Sequence, residues 1–520
     1  MTSLDRPAVS RGSAAVGPPP ADSSEHGKPS KPAVPLWMRL LPPVFTLAVM
    51  LWGIRVPSYS QDEAATLSAV QRPFGQMIHL LQSDDAFHGA YYMLIWPLVR
   101  LAGPDPLVTR LPSALAMAVA AAFTAAIGWR LISPRAGLMA GLVLAVLPEV
   151  SVFGQTARPY ALATALAAVA SYLLVRAMQA SAAGERIDGW LVAYGASVVV
   201  LGYLHPFAVL LLVAHAIPVA RQLLRRSGRS LALGWLAAGV LVALFVAPLI
   251  LVTRRQTTGA SLAWANNPAL SQIRGLVSLV GPLPMAFAAA AVLLVAVAVS
   301  AFAGRTRLRA NLPADLFALC IPWMLVPPAI LIAAAQVTPV YTFRYVIFCT
   351  PAVALLVGAA LAAVDWRLGI AGLVVIAALG YHVQARDRSA TGHGNNLRAA
   401  DQIVARYMRP GDVSFYVTLR QAIGSAYPYG IGKLKNVEVG ERPIPSGTFG
   451  GKFAGLRTVR LRLDKASRVW LIQLTPHSTP VPPPEILARH HFIRTRVWYE
   501  DKVWVILYVH HNPPAHHRRH

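Results

Sequence analysis

Long apolar runs alternate with short polar or proline-containing segments between residues 37 and 384. A helix needs about 20 apolar residues to cross a bilayer, and the runs near this length predict eleven membrane spans. The predicted spans are 37–56, 107–129, 136–152, 159–178, 189–204, 206–220, 231–252, 275–303, 312–335, 345–364 and 367–384. Residues 57–106 then form a long loop between the first two spans.

The pattern changes beyond residue 385, where short apolar stretches alternate with polar ones. The segment "LRAADQIVARYM" carries its apolar residues on one helical face, and "VSFYVT" and "RVWLIQL" are typical of strands. "PPEILARHHF" predicts a helix that begins at proline, and "RTRVWYEDKVWVILYVH" predicts a hairpin that turns around residues 500–502. The alternation predicts a small α/β domain over residues 385–510, followed by a flexible, His-rich end at 511–520.

Composition favours a membrane protein over a soluble one. The chain has 520 residues, of which 55% are hydrophobic and only 13% charged. Its formal net charge of +25 is typical of nucleic-acid binders, but many of the cations lie in short loops between apolar runs. Cytoplasmic loops of membrane proteins carry this bias, so no nucleic-acid partner is predicted. The two cysteines, Cys320 and Cys349, lie in or beside apolar segments and offer no disulfide framework.

The distribution of arginines predicts the topology in the cell membrane. Residues 1–35 are rich in Pro, Ala, Ser and Gly, which predicts a disordered tail. If this tail is cytoplasmic, the arginine-containing connections after the second, fourth, sixth, eighth and tenth spans fall in positions expected of cytoplasmic loops. Eleven spans then place the first loop, 57–106, and the C-terminal domain on the outer face.

Two adjacent acids, Asp62 and Glu63, stand in the segment "SYSQDEAAT" at the start of the first outer loop. On a helix they would diverge by about 100°, so that one could enter a site while the other orients the loop. The alternative is helix capping, in which Ser60 or Asp62 caps a helix through "EAATLSAVQ". Further carboxylates that could take part are Asp84, Asp85 and Glu149.

Several cations and aromatic residues lie at or near the predicted outer boundary, where topology does not explain the cations. They are His88, Arg110, Arg158, His205 and Arg344, together with Tyr91, Tyr92, Tyr160 and Tyr345. Each cation could be a snorkelling anchor and each tyrosine an interfacial belt residue. If several of the cations converge on one pocket, they instead form an anion site.

Five short motifs resemble those of one family of membrane enzymes. They are "DEA" after the first span, "HGAYYML", "RLPSALA", "ARPYALATALA" and "FRYVIFCTPAVALL". The pattern resembles the membrane glycosyltransferases of the GT-C fold, over roughly residues 37–384. The nearest group is the protein O-mannosyltransferase and aminoarabinose-transferase-like superfamily, especially its actinobacterial mannosyltransferases.

The resemblance implies transfer of a sugar, by default mannose, from a polyprenyl phosphate to an acceptor hydroxyl on the outer face, with inversion. Asp62 is then the candidate base and Glu63 the residue that orients the loop or the acceptor, with the two roles reversible. Arginine suits the departing phosphate because its planar fork matches the phosphate oxygens, so Arg344 and then Arg158 are its candidate ligands. The remaining substrate-binding candidates are His88, Tyr91, Tyr92, Arg110, Tyr160, His205 and Tyr345.

The acceptor could be a glycan, a lipid or a protein hydroxyl. No His, Cys or acidic cluster has the spacing of a dedicated metal site, so a metal-independent reaction without cofactor is predicted. A transporter or flippase is the alternative, although such a protein more often carries ionisable residues near mid-span. A third class is a non-catalytic scaffold whose outer domain binds cell-wall polymer.

Overall fold

The computed structural model describes residues 34–225, 228–256, 314–337, 341–415, 422–474 and 484–511, with parts of 279–294. Most of the predicted tail 1–35, of the predicted span 275–303 and of the His-rich end 511–520 therefore lies outside the described residues. The helices up to residue 387 are α1 (Leu36–Leu51), α2 (Gln61–Val70), α3 (Phe74–Ser83), α4 (Gly89–Ala102), α5 (Pro106–Leu131), α6 (Pro134–Val146), α7 (Pro148–Gly154), α8 (Tyr160–Ala183), α9 (Asp188–Leu204), α10 (Leu211–Leu224), α11 (Arg229–Gln256), α12 (Ala314–Ala335), α13 (Thr350–Ala363) and α14 (Trp366–Asp387).

In the described part of the chain, seven helical segments are long and apolar enough to cross a membrane. They are Pro106–Leu131, Tyr160–Ala183, Pro206–Leu224, Arg229–Gln256, Ala314–Ala335, Phe343–Ala363 and Trp366–Asp387. Two of them begin with a 3-10 turn, Pro206–Leu210 or Phe343–Cys349. The helices Leu36–Leu51 and Asp188–Leu204 are apolar but shorter. The chain is thus a multi-pass helical membrane protein, while the predicted count of eleven spans stays a prediction.

The predicted span 136–152 is not one straight helix. α6 and α7 meet at a break where the axis turns by 67°. Leu147, between them, is extended, with φ −67° and ψ 123°, as is usual before a proline because the proline ring clashes with a helical predecessor. Pro148 then occupies the first turn of α7, where its missing N–H costs no hydrogen bond.

Three helices fill most of the segment predicted as the first loop. α2, α3 and α4 lie between residues 61 and 102, with a 3-10 turn at Ala86–His88 before α4. α4 ends at Gly103, whose φ of +81° is readily adopted only by glycine. This helical segment forms one side of the candidate site.

The C-terminal region combines helices with a five-stranded sheet. Its helices are α15 (Leu397–Tyr407), α16 (Ile423–Ala426), α17 (Gly455–Leu463) and α18 (Glu485–Arg489), and its strands are β1 (Val413–Phe415), β2 (Lys435–Asn436), β3 (Val439–Glu441), β4 (Lys452–Phe453), β5 (Arg468–Leu474), β6 (Phe492–Glu500) and β7 (Val503–His510). The order of the five-stranded sheet is β2-β1-β5-β7-β6, with β1 parallel to both neighbours and β5, β7 and β6 antiparallel in turn. β3 and β4 pair with each other in a separate antiparallel sheet.

The local predictions that fall on described residues are confirmed, while the end of the predicted strand "VSFYVT", at 416–418, lies outside them. α15 buries its apolar face, α18 follows Pro484, and β6 and β7 form the predicted hairpin. Asp501 and Lys502 turn that hairpin with positive φ values of 39° and 69°, the backbone that a two-residue turn of matching twist requires.

One apolar cluster joins the first loop to the C-terminal region. Tyr59, Ala64 and Leu67 pack there with residues of α15 and β5, and Leu67 is only 1% exposed. Burying such a leucine contributes about 1.5–3 kcal/mol. Arg398 of α15 adds polar contacts to the same segment: its guanidinium donates to the carbonyl oxygens of residues 55, 56 and 57. These contacts fix the start of α2, where the two adjacent acids lie.

Candidate active site

Glu63 lies in the first turn of α2 and is fully buried. Ser60 caps the helix: its hydroxyl accepts from the Glu63 N–H, and the Ser60 N–H donates back to Glu63 Oε2 at 3.0 Å. This capping box confirms the predicted helix cap. The same carboxylate accepts from Arg110 Nε at 2.8 Å and from the Ala157 N–H at 3.0 Å, and the Nδ1 of His393 lies 3.0 Å from Oε2.

These contacts enclose the Glu63 side chain, which is 0% exposed. Burial alone would raise the pKa of Glu63, but Arg110 and His393 outweigh it and hold the pKa well below its usual range. The Glu63 carboxylate is therefore ionised, and its hydrogen bonds connect α2 to residue 157 and to the chain beyond α14. Of the two adjacent acids, Glu63 is thus enclosed and Asp62 is accessible, while the roles of base and orienting residue stay predictions.

Arg110 was predicted to bind substrate, but the structure places its guanidinium in the interior. The side chain is 0% exposed, and besides Glu63 it donates to the carbonyl oxygens of Ile54, Pro57 and Ser58. Its donors are thus used to hold the segment before α2. Tyr91, also predicted to bind substrate, is likewise 0% exposed and packs in an apolar cluster between α3 and α4.

Asp62 points away from this buried pair. Its Oδ2 accepts from Arg344 Nη1 at 2.6 Å, and the two side chains remain 34% and 28% exposed. Arg344 lies in the 3-10 turn before α13, so that the pair joins the first loop to a residue 282 positions later. A charge-assisted contact of this length is strong, yet both groups stay accessible to a ligand.

Arg158 lies in the same region, just before α8, and is 6% exposed. Its Nη2 donates to His88 Nε2 at 3.0 Å and its Nη1 to the Tyr92 hydroxyl at 3.3 Å. No carboxylate of the described residues lies within 4 Å of its guanidinium, and its Nε has no hydrogen-bond partner among them. Burying a cation with only neutral contacts costs free energy. An anionic ligand that binds beside such a cation offsets this cost.

Asp85 orients the two neutral partners of Arg158. It accepts from the Tyr92 hydroxyl at 2.6 Å and lies 2.8 Å from His88 Nδ1. Burial would raise the pKa of Asp85, but His88 and Arg158 hold it well below its usual range. Burial, together with the Arg158 charge, lowers the pKa of His88. A neutral His88 that donates through Nδ1 to Asp85 and accepts through Nε2 from Arg158 satisfies both contacts.

His205 forms the centre of an aromatic cluster beside these cations. Its ring centroid lies 5.5 Å from that of Tyr345, 5.7 Å from Phe87, 5.8 Å from Tyr160 and 6.0 Å from Phe207. The side chain is 1% exposed, and neither ring nitrogen has a hydrogen-bond partner among the described residues. An unsatisfied buried imidazole costs about 1–3 kcal/mol, which is tolerated where a ligand supplies the missing partner.

The structure therefore brings together eight of the eleven predicted residues and sets three apart. Those around the accessible region are Asp62, His88, Tyr92, Arg158, Tyr160, His205, Arg344 and Tyr345, while Glu63, Arg110 and Tyr91 are enclosed behind them. Sequence reasoning missed His393, Phe87 and Phe207. Phe87 directly precedes His88 and could have been noticed, but nothing local marks His393.

No three His, Cys, Asp or Glu side chains of the described residues are grouped so that they could hold a metal ion. The predicted metal independence of the reaction stays a prediction.

Comparison with known proteins identifies the fold. Residues 89–251 match the family model of the dolichyl-phosphate-mannose-protein mannosyltransferases, which is less than half of the chain. The solved structure of ArnT from Cupriavidus metallidurans in the apo state matches with a TM-score of 0.56 at 14% identity, covering 90% of this chain and 97% of that one. The structure of ArnT bound to undecaprenyl phosphate matches with a TM-score of 0.54 at 13% identity and the same coverage. No curated protein matches the sequence significantly.

Proposed function

We propose that this chain, which has the GT-C fold of ArnT, is a membrane glycosyltransferase whose donor is a sugar linked to a polyprenyl phosphate. The ArnT structure with bound undecaprenyl phosphate and the match to a mannosyltransferase family both support this proposal. Mannose is the proposed sugar, and the acceptor is a hydroxyl of a glycan, lipid or protein. The reaction takes place on the outer face of the cell membrane, with the N-terminus in the cytoplasm.

The single observation that carries the proposal is the pair of guanidinium groups, Arg158 and Arg344, next to one accessible carboxylate. Arg158 is buried with no carboxylate of the described residues within 4 Å, and Arg344 contacts the partly exposed Asp62. A lipid phosphate brings negative charge to Arg158 and is within reach of the partly exposed Arg344 beside Asp62. Arginine forks bind phosphate oxygens in pairs, and a phosphate monoester leaves as a dianion that these cations stabilise.

Asp62 is the proposed base. The acceptor oxygen forms a bond to the anomeric carbon, the bond from that carbon to the phosphate oxygen breaks with its electron pair, and the hydroxyl proton passes to Asp62. A positioned carboxylate contributes about 10²- to 10⁴-fold to such a step. Single displacement inverts the anomeric centre.

The donor and the base share one arginine. Arg344 donates to Asp62, and a donor phosphate competes for the same guanidinium. The proposed site therefore couples the two substrates through Arg344.

The test uses purified full-length chain with a panel of polyprenyl-phosphate sugars, including mannose and arabinose, and with labelled acceptors. We expect release of polyprenyl phosphate with formation of one product anomer, opposite to that of the donor by NMR. Arg158→Gln is expected to abolish turnover. Turnover that persists in Arg158→Gln, or a wild-type protein inactive with every donor, would overturn the assignment.

A further inference from the structure

A cavity lined by none of the candidate-site residues lies between the first loop and the C-terminal region. It has a volume of about 990 Å³, and we call it the interdomain cleft. Its lining comes from four parts of the chain: the segment before α2, the end of α2, the end of α4 with the loop that follows it, and the region from α15 to residue 429. Arg55, Tyr59, Arg100, Asp105, Arg398 and Tyr427 are the lining residues that decide its chemistry.

We propose that the interdomain cleft binds the acceptor and that this acceptor is a carbohydrate carrying an anionic group, a phosphate or a carboxylate. The inference rests on the proposed function, because an acceptor exists only if the chain transfers a sugar.

The charges of the cleft favour an anion. Two carboxylates line the cleft. Asp105 accepts from Arg55 Nε at 3.1 Å and from the Leu107 N–H. Asp401 accepts from two backbone N–H groups after α16. Both acids are therefore already engaged. Arg398 donates only to backbone carbonyl oxygens, and Arg100, exposed at the end of α4, has no carboxylate of the described residues within 4 Å. Two of the three guanidinium charges in the cleft are thus uncompensated.

The aromatic lining favours a carbohydrate. Tyr427 donates its hydroxyl proton to the Tyr59 carbonyl oxygen at 2.8 Å, and Tyr59 donates to the Pro104 carbonyl oxygen at 2.9 Å. Their hydroxyls are thus satisfied by the protein, while their rings border the cavity with Tyr429, which is 73% exposed. Aromatic rings offer a flat apolar surface suited to the C–H face of a sugar ring. The volume lies near the upper end of the range for ligand pockets, about 300–1,000 Å³, so that it fits more than one sugar unit.

The cleft is linked to the proposed base through α2. Leu67 and Gln71 of that helix line the cleft, whereas Asp62 lies on a different face and contacts Arg344. Tyr59, which borders the cleft, immediately precedes the Ser60 cap of the same helix. A ligand in the cleft therefore holds a remote part of the acceptor while the reacting hydroxyl lies on the other side of α2.

The outer domain is basic as a whole, and the test must separate the cleft from that background. Residues 397–511 contain 17 Lys and Arg against 8 Asp and Glu, so any acidic polymer is attracted to this surface. Arg457 of α17 is exposed and does not line the cleft. Arg457→Gln therefore removes the same charge as Arg100→Gln but at a different place.

The experiment measures binding of two fluorescent probes, neutral mannotetraose and mannotetraose with one terminal phosphate, to the full chain in zwitterionic lipid nanodiscs without donor. We expect the phosphorylated probe to bind at least about tenfold more tightly. Arg100→Gln should remove most of this difference and leave the neutral probe within about twofold, whereas Arg457→Gln should change neither probe.

Equal binding of the two probes, or equal effects of the two substitutions, would overturn the assignment of the cleft. Loss of probe binding when anionic phosphatidylglycerol is added to the nanodiscs would assign the cleft to a lipid headgroup and also overturn it. The proposed function fails separately: if the phosphorylated probe binds as expected but no donor is ever turned over, the cleft is an acidic-glycan site of a protein that is not a transferase.

Discussion

Asp62 and Glu63 are adjacent in the chain, and we predict that replacing each by its amide affects a different property of the protein. Asp62→Asn should abolish transfer and leave the fold stable, whereas Glu63→Gln should destabilise the fold. The difference follows from burial, since the Glu63–Arg110 pair is 0% exposed on both sides and the Asp62–Arg344 pair about one-third exposed.

The magnitudes follow from the contacts. In Glu63→Gln, Arg110 stays buried without its counter-charge, and an amide N–H now faces groups that themselves donate, such as the Ala157 N–H. Removing one partner of a buried pair costs about 3–5 kcal/mol. A partly exposed pair contributes about 0.2–1 kcal/mol, so Asp62→Asn should change stability little while lowering the rate about 10²- to 10⁴-fold.

Two measurements on the same preparations separate these outcomes: thermal unfolding of the full chain in detergent, and single-turnover transfer at saturating donor. Glu185→Gln, at an exposed carboxylate between α8 and α9, controls for the loss of one negative charge and should match the wild type in both. A wild-type Tm for Glu63→Gln, or a wild-type rate for Asp62→Asn, would refute the reasoning.

Three further predictions concern the neighbours of these acids. Arg344→Lys should raise the donor KM at least about tenfold because lysine cannot bridge Asp62 and a phosphate as the guanidinium fork does. Arg367→Lys, at an exposed site, is the control. An unchanged donor KM in Arg344→Lys would contradict a role of Arg344 in phosphate binding. His205→Phe keeps the aromatic packing but removes the two unsatisfied nitrogens, so transfer should fall about tenfold or more while Tm holds or rises; a lower Tm with full activity would show a purely structural histidine. The pKa of His88 is lowered in the folded chain, so the contribution of His88 to stability is complete above about pH 6.5 and is lost as the pH falls below that value. The free energy of unfolding then decreases by at most about 1.4 kcal/mol per pH unit. His88→Gln should therefore show a weaker fall in Tm between pH 6.5 and 5 than the wild type, and an identical pH profile would count against a neutral His88.

The sequence by itself determined the elements whose causes are local. Apolar runs located the helices that cross the membrane, alternation and turn residues located the hairpin β6–β7, and the spacing of Ser60 and Glu63 matched a capping box. The short motifs also carried the resemblance to the GT-C fold, which the structural match to ArnT confirms. In each case the information lies within a few turns of helix or one pair of strands.

The tertiary structure alone decided which charged groups meet. The partners of Glu63 come from positions 47, 94 and 330 residues away, and Asp62 meets Arg344 across 282 residues. Spacing along the chain does not encode these distances, so the sequence left the two acids interchangeable and placed Arg110 among the ligands of the substrate. Packing removes water from Glu63 and Arg110 and leaves it at Asp62 and Arg344, and because the cost of a buried charge depends on its surroundings, this difference in burial separates a structural acid from one that can take a proton.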